Sequence, residues 1–299
     1  MKDTFLNTTL AFLVLFFITV FVPAAQGKSS SGPGTFYMVS VGIGDPDNIT
    51  IRALRTLKEA DLIFAGKEER KTFQHLLAGK EVLTPPSLRI HKHLQSIRAE
   101  NMMVKKENQE NGNAVMREIE EFVFRVKKAL HAGKDIAYLV QGDPTIYGPN
   151  IWIMDALKDL KTTVVPGVSS LNAANAALKK GITFGIQARS AILTNGAALK
   201  KEDYQGWDTF ERLAASRSTM IFFTMHVDIE ELVPELLKFY PPETPIAVVI
   251  EAGYKEKERV IQGTLETIRD KVRKKHIPFK NIIYVGDFLS DSWDNIFNN

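Results

Sequence analysis

The sequence predicts an α/β protein built as two stacked α/β domains with a cleft between them. Three observations carry this. Short apolar, β-branched runs end directly in glycine loops: FYMVSVG at 36–42, IAYLVQG at 136–142 and TTVVPG at 162–167. Helical apolar patterns alternate with these runs. Separated loop motifs also follow one another in a fixed order: VGIGDPDNIT (41–50), QGDPTIYG (141–148), VVPGVSS (164–170), IFFTM (221–225), TPIAVV (244–249) and IQGTL (261–265). An α/β protein places ligand-binding backbone at the carboxyl ends of its strands in this way.

The elements follow in order. Residues 36–42 read as the first strand. Residues 50–60 read as a helix with Ile51, Leu54 and Leu57 on its apolar face, and Asp47 and Asn48 as its expected caps. Strands are expected at 61–65 and 81–84, the latter closed by Pro85 and Pro86. A helix from about Ala114 to Leu130 repeats apolar residues at Val115, Ile119, Phe122, Val123 and Val126, and Gly133 stops it. A strand at 135–140, a helix at 151–160, a strand at 162–165 and an Ala-rich helix at 169–179 complete the first stretch. Beyond it, strands are expected at 190–194, 219–224, 245–250 and 282–285, with helices at 229–239 and 265–275. The domain boundary falls near Pro166, giving domains over 36–165 and 166–299.

The beginning of the chain reads differently. Leu10 to Val22 is apolar except for Thr19, and Pro23, Ala24, Ala25, Gln26 and Gly27 follow. This is the pattern of a secretory signal peptide over 1–27, with 28–35 a Ser/Gly/Pro linker. The expected location is therefore exported or periplasmic; a membrane-anchored or cytoplasmic protein is the alternative. After cleavage no stable membrane span is expected.

Composition bounds the chemistry. With 299 residues, 44% hydrophobic and 24% charged, the chain is an ordinary globular one of two-domain size. It has no Cys, which excludes disulfides, thiolate metal sites and a Cys nucleophile. The net charge is +3, and removing 1–27 takes one Lys and one Asp and leaves it unchanged. Aromatic residues do not interleave with the basic ones, so no nucleic-acid partner is expected. The excess suits a substrate carrying carboxylates. His91 and His93 lack a third ligand, and no HExxH or Gly-x-Ser-x-Gly pattern occurs, so no metal site is expected.

Each loop has a bland and a functional reading. Gly42-Ile43-Gly44-Asp45-Pro46 lacks the third glycine of a dinucleotide fingerprint; it is a tight turn or the lining of a substrate trough. In Gly142-Asp143-Pro144 the proline biases Asp143 to extended backbone, aiming its carboxylate into a cleft. Ser169 is an N-cap, and the helix N-terminus it opens also suits a carboxylate. Met225, before the polar His226, lies at the cleft mouth or fills core. Gly263-Thr264-Leu265 reads as a helix start.

Taken together, these motifs resemble the tetrapyrrole methylase family over roughly residues 36–289, and YPPETPIAVVIEAGYKEKERVIQGTLETI is similar to its cobalt-precorrin-4 methyltransferase branch. The resemblance implies S-adenosylmethionine as cofactor, folded between the domains and held largely by main chain. Carried over by motif, its contacts are Gly142, Asp143 and Ile146, then Ser169 and Ser170, Met225, Ala247 and Thr264. It implies a tetrapyrrole small molecule as the other reactant, beside Asp45, which would orient pyrrole N–H groups, and it allows a homodimer. The implied activity is C-methylation of a precorrin-like tetrapyrrole. Two other readings compete: an exported protein that binds a tetrapyrrole or metal-tetrapyrrole without transfer, and a methylase of another substrate. This chain departs from the family at Ile43, where a proline is common, and across 67–115, where substrate choice is expected to lie.

Overall fold

The computed structural model describes residues 32–87, 90, 109–185, 187–195, 206–223, 227–273 and 275–290, with only the backbone of 109–113. The chain forms two units by contact, Met1–Ser31 and Gly32–Asn299, and all that follows concerns the second. The signal-like segment, His91, His93 and Met225 lie outside the described residues. Among the described residues no helix is long and apolar enough to cross a membrane.

The first half folds as β1 (Phe36–Ser40), α1 (Ile51–Glu59), β2 (Leu62–Phe64), α2 (Lys67–Thr72), α3 (Gln74–Leu77), β3 (Glu81–Leu83), α4 (Gln109–His131), β4 (Ile136–Val140), α5 (Trp152–Ala156) and β5 (Thr162–Val165). The five strands form one sheet in the order β3-β2-β4-β1-β5, and every pairing is parallel. The inner strands β1, β2 and β4 are buried almost throughout and read as apolar runs, while the edge strands β3 and β5 are partly exposed. On one face Phe36, Met38 and Tyr138 pack with Val126 and Leu130 of α4. On the other, Val39 and Leu139 pack with Ala53 and Leu57 of α1. Because all five strands run the same way, the loops after β1, β4 and β5 emerge side by side at one edge.

The second half continues as α6 (Ser170–Leu178), β6 (Ala191–Asn195), α7 (Phe210–Ala215), β7 (Thr219–Phe223), α8 (Ile229–Leu236), β8 (Pro245–Ile250), β9 (Arg259–Thr264), α9 (Ile268–Val272) and β10 (Asn281–Val285). Its sheet has the order β6-β7-β10-β8-β9. Only β6 and β7 run parallel; β10 is antiparallel to β7 and β8, and β8 to β9. Alternate side chains divide between two clusters. Ile246, Val248 and Ile250 pack under α7, α8 and α9. Ala247 and Val249 face α6, through Leu171, Ala174 and Leu178.

Several expectations change. α1 is capped by Thr50, whose Oγ1 accepts from Ala53 N–H at 3.1 Å, not by Asp47 or Asn48. Those two lie in a 3-10 turn, Pro46–Asn48, that Pro46 starts with its fixed φ. Ile51, expected on the buried face of α1, is 68% exposed. Residues 261–265 do not start a helix: Ile261 to Thr264 end β9, an edge strand paired with β8. The helices α2, α3 and α7 were not expected, and α5 and α9 are shorter than expected. In the second half the strands are therefore linked by a hairpin and antiparallel pairings as well as by helices.

Candidate functional site

The loops after β1, β4 and β5 are stitched together by short polar contacts. Ser40, fully buried at the end of β1, donates its hydroxyl to Gly142 O at 2.5 Å and accepts from Gly42 N–H at 3.1 Å. Gly142 N–H donates to Gly42 O at 2.8 Å, closing a bridge between the two glycines. Gly142 has φ +68, a conformation that favours glycine. The space beside it is open: a Cβ there would meet nothing nearer than Ser169 Cα at 4.0 Å. Gly142, itself buried, thus leaves room on the side where a side chain would stand.

Asp143 does not aim into a cleft. Its carboxylate is turned inward, accepting from Thr145 N–H at 2.8 Å and Gly167 N–H at 3.0 Å, and from the Thr145 hydroxyl. Burial alone would raise its pKa, but the bonds from Thr145 and Gly167 outweigh this and hold the carboxyl below the ordinary range. Asp143 is therefore a strut between the β4 and β5 loops. Ser169 is likewise engaged. It forms a capping box with Asn172, its Oγ accepting from Asn172 N–H at 3.3 Å and donating to Asn172 Oδ1 at 2.7 Å. Ser170, half-buried in the first turn of α6, stands beside it.

The opposing wall comes from the second sheet. Ile146 packs against the cluster that holds Leu171, Phe223 and fully buried Ala247. Tyr147, with φ +60, stacks on Phe223 at 4.4 Å between ring centroids and 19° between planes. A tyrosine in that region of backbone is uncommon and strained. Thr264 stands further off. It shares the face of Ala247 but lies on the edge strand opposite Pro245, one same-face pair beyond the Ala247–Gln262 pair, roughly 7 Å along the strand. Its hydroxyl faces Thr267 Oγ1 at 3.0 Å. The structure thus brings Gly142, Asp143, Ile146, Ser169, Ser170 and Ala247 to one seam, and leaves Thr264 at its margin.

The first glycine loop closes the other end of the seam. Asp45 N–H donates to Gly253 O at 2.9 Å, and its Oδ2 accepts from Lys255 N–H at 2.9 Å. Asn48 Nδ2 donates to Ile43 O at 2.8 Å and to Gly253 O at 3.3 Å. Lys255 pairs with Asp47, and each raises the charge of the other: Asp47 is held acidic by that hydrogen bond and Lys255 basic by it. The loop is therefore docked on the turn between β8 and β9, 251–258. The sequence reading assigns no role to that turn, to Ser40, or to Glu68, which accepts from Gln141 Nε2 at 3.0 Å and lies 3.7 Å from Lys280 Nζ. A small polar residue ending an apolar strand was the available signal for Ser40; nothing local marks the others.

A groove of about 590 Å³ lies elsewhere, beside α8 and α9, lined among others by Val227, Ile229, Val272, Ile277 and Phe279. It adjoins the cluster on the far face of the second sheet and shares no residue with the seam. Among the described residues no group of three metal-ligating side chains converges.

Comparison with known proteins gives one consistent result. A sequence profile described as Tetrapyrrole (Corrin/Porphyrin) Methylases matches residues 35–269. The cobalt-precorrin-4 C(11)-methyltransferase of Methanocaldococcus jannaschii is 32% identical over 86% of this chain and 88% of its own length. The precorrin-4 C(11)-methyltransferase of Pseudomonas aeruginosa is 28% identical over 86% and 91%. Among solved structures, a cobalt precorrin-4 methyltransferase shares the fold at TM-score 0.64 and 23% identity, over 86% of this chain and 96% of that one. A uroporphyrin-III C-methyl transferase from Thermus thermophilus, complexed with S-adenosylhomocysteine, shares it at 0.55 and 21%, over 86% and 99%.

Proposed function

We infer, for a chain that belongs to the tetrapyrrole (corrin/porphyrin) methylases, an S-adenosylmethionine-dependent enzyme that methylates carbon on a tetrapyrrole. The observation that carries the reading is the seam: the loops quoted from the sequence converge at Gly142, beside which there is room for more than a glycine.

The seam fits the cofactor. A side chain at Gly142 would fill the space a ligand needs, so glycine there keeps a cradle open. The Gly142 N–H is engaged by Gly42 O, so what the main chain of Gly142 and Asp143 offers at the cradle's edge is the second lone pair of carbonyls that already accept from Ser40 and Ile146. Ile146 gives a half-buried apolar surface, packed on the cluster that contains fully buried Ala247. The first turn of α6, with Ser170, presents N–H groups and a positive helix end suited to a carboxylate. We assign Met225 and Thr264 to the same site on the strength of their motifs. When bound, S-adenosylmethionine supplies an electrophilic methyl whose leaving group is a neutral thioether, so no strong base is required of the chain.

What the residues contribute is position. Holding two reactants in register is itself a large source of rate. Asp45, fixed by its bond from Lys255 N–H, is the residue we assign to orienting pyrrole N–H groups. Ser40 and Asp143 hold the loops so that the cradle keeps its shape. The substrate we propose is of the precorrin-4 type. We propose further that residues 1–27 are an export signal, supported by the apolar run Leu10–Val22 and the small residues at Ala25 and Gly27. N-terminal sequencing of the protein recovered from cells tests that point: a start near Lys28 supports it, and an intact Met1 contradicts it.

The enzymatic reading is tested by titrating the purified protein with S-adenosylhomocysteine in a calorimeter, followed by mass analysis of a tetrapyrrole incubated with S-adenosylmethionine. Saturable binding and a product heavier by one methyl are expected. Binding of tetrapyrrole with no transfer and no S-adenosylhomocysteine binding would support the competing binding-protein reading.

A further inference from the structure

The turn 251–258 holds two lysines, Lys255 and Lys257, among Glu251, Glu256 and Glu258. Lys255 is paired with Asp47 and Glu258 accepts from Gly253 N–H. Two other lysines gather on one ring. Lys280 Nζ lies 5.1 Å from the Tyr254 centroid and donates to Tyr254 Oη at 2.9 Å; Lys257 Nζ lies 5.7 Å from the same centroid. The two ammonium groups are therefore at most about 11 Å apart. Lys257 has no ion pair among the described residues. Lys280 has Glu68 at 3.7 Å, beyond hydrogen-bond reach, while Glu68 accepts a better bond from Gln141 Nε2 at 3.0 Å.

The cluster is not a remote surface patch. Gln141 directly precedes Gly142, and Tyr254 directly follows Gly253, on which the Asp45 loop docks. The chain of contacts Gln141–Glu68–Lys280–Tyr254 thus runs from the β4 loop to the β8–β9 turn, beside the proposed place of the tetrapyrrole. Lys280 is exposed; desolvation disfavours its charge, but Tyr254, Glu68 and Glu251 together outweigh this and hold it protonated, and among the described residues no carboxylate oxygen lies within hydrogen-bond reach of it. An ammonium in that setting is completed by an incoming anion, and its bond to a carboxylate is a strong, charge-assisted one.

Resting on the reading above, we propose that Lys257 and Lys280, posted on Tyr254, bind peripheral carboxylates of the tetrapyrrole and so set its orientation in the cleft. They recognise substrate and leave the cofactor untouched. Glu68 holds the place of the substrate carboxylate until it arrives.

The experiment compares wild type with Lys257→Glu, Lys280→Gln and Lys280→Arg. Two titrations are run on each, one with S-adenosylhomocysteine by calorimetry and one with uroporphyrin III by fluorescence. The first reports on the cofactor reading and the second on the lysines, so the two can fail separately. Lys257→Glu and Lys280→Gln are each expected to weaken uroporphyrin binding by about tenfold or more, to flatten its salt dependence, and to leave S-adenosylhomocysteine affinity unchanged. Lys280→Arg is expected to recover most of the binding. Unchanged uroporphyrin affinity in both loss variants overturns the proposal. So does a parallel loss of both ligands with a lowered melting temperature, which would make the cluster a structural one.

Discussion

The Gly42–Gly142 seam and the turn 251–258 meet at the same site but treat their polar groups in opposite ways. In the seam, Ser40, Asp143 and Ser169 are buried, and each has its partners: Gly142 and Gly42, Thr145 and Gly167, Asn172. At the turn, Lys257 and the nearby Lys280 are exposed, and neither has a carboxylate within hydrogen-bond reach among the described residues. Buried polar groups that are satisfied hold shape. Charges left loosely matched at a cleft are available to a ligand. On the proposed reading, the seam shapes the cradle and the two lysines at the turn read what enters it.

That contrast can be broken by stability measurements. The largest effect is expected where the two regions touch. Gly44 has φ +88, and a Cβ there would lie 2.1 Å from Gly253 O. Gly44→Ala should cost about 3 kcal/mol in urea unfolding, from backbone strain and the forced separation of loop and turn. A cost below about 1 kcal/mol would mean that the loop is not docked as described.

Asp143→Ala comes next, at about 2 kcal/mol, because it leaves the N–H groups of Gly167 and Thr145 without their acceptor. The pH dependence has a definite sign. The folded carboxyl titrates below its ordinary value, so its contribution is present above that ordinary value of 3.8 and is lost as pH falls through the folded pKa. The stability gap between wild type and Asp143→Asn should shrink below about pH 4. A gap that widens in acid would contradict the strut.

The smallest effect belongs to the turn. Lys257→Glu should change stability by no more than about 0.5 kcal/mol, since nothing in the fold depends on that charge. A larger loss would erase the distinction between the two regions.

The two regions also differ in what the sequence discloses. The strands β1 and β4 are legible because a parallel strand covered on both faces is a continuous apolar run, the edge strand β5 because its residues are all β-branched, and a glycine marks the loop after each. β9 is not: as an edge strand, it buries only Ile261 fully, among Arg259, Gln262 and Gly263. α2 is polar over KEERKT and buries nothing, so no period reveals it. At the site, motifs mark where main chain converges but not where side chains point. Asp143 was expected to reach into the cleft, but two backbone donors and a hydroxyl draw it inward. The Glu68–Lys280 approach joins residues distant in the chain, and no local pattern encodes such a meeting.

The central claim is that the bare backbone of Gly142 faces the cofactor. Gly142→Val tests it most directly, with S-adenosylhomocysteine titration and thermal melting run on the same samples. The left-handed backbone at Gly142 makes some loss of stability certain, on the order of 1–3 kcal/mol, so the melt alone decides nothing. The account predicts that binding is abolished at temperatures where the variant is still fully folded, because the branched side chain fills the open space beside Ser169. Wild-type affinity in a folded Gly142→Val protein, with only the melting temperature lowered, would contradict it.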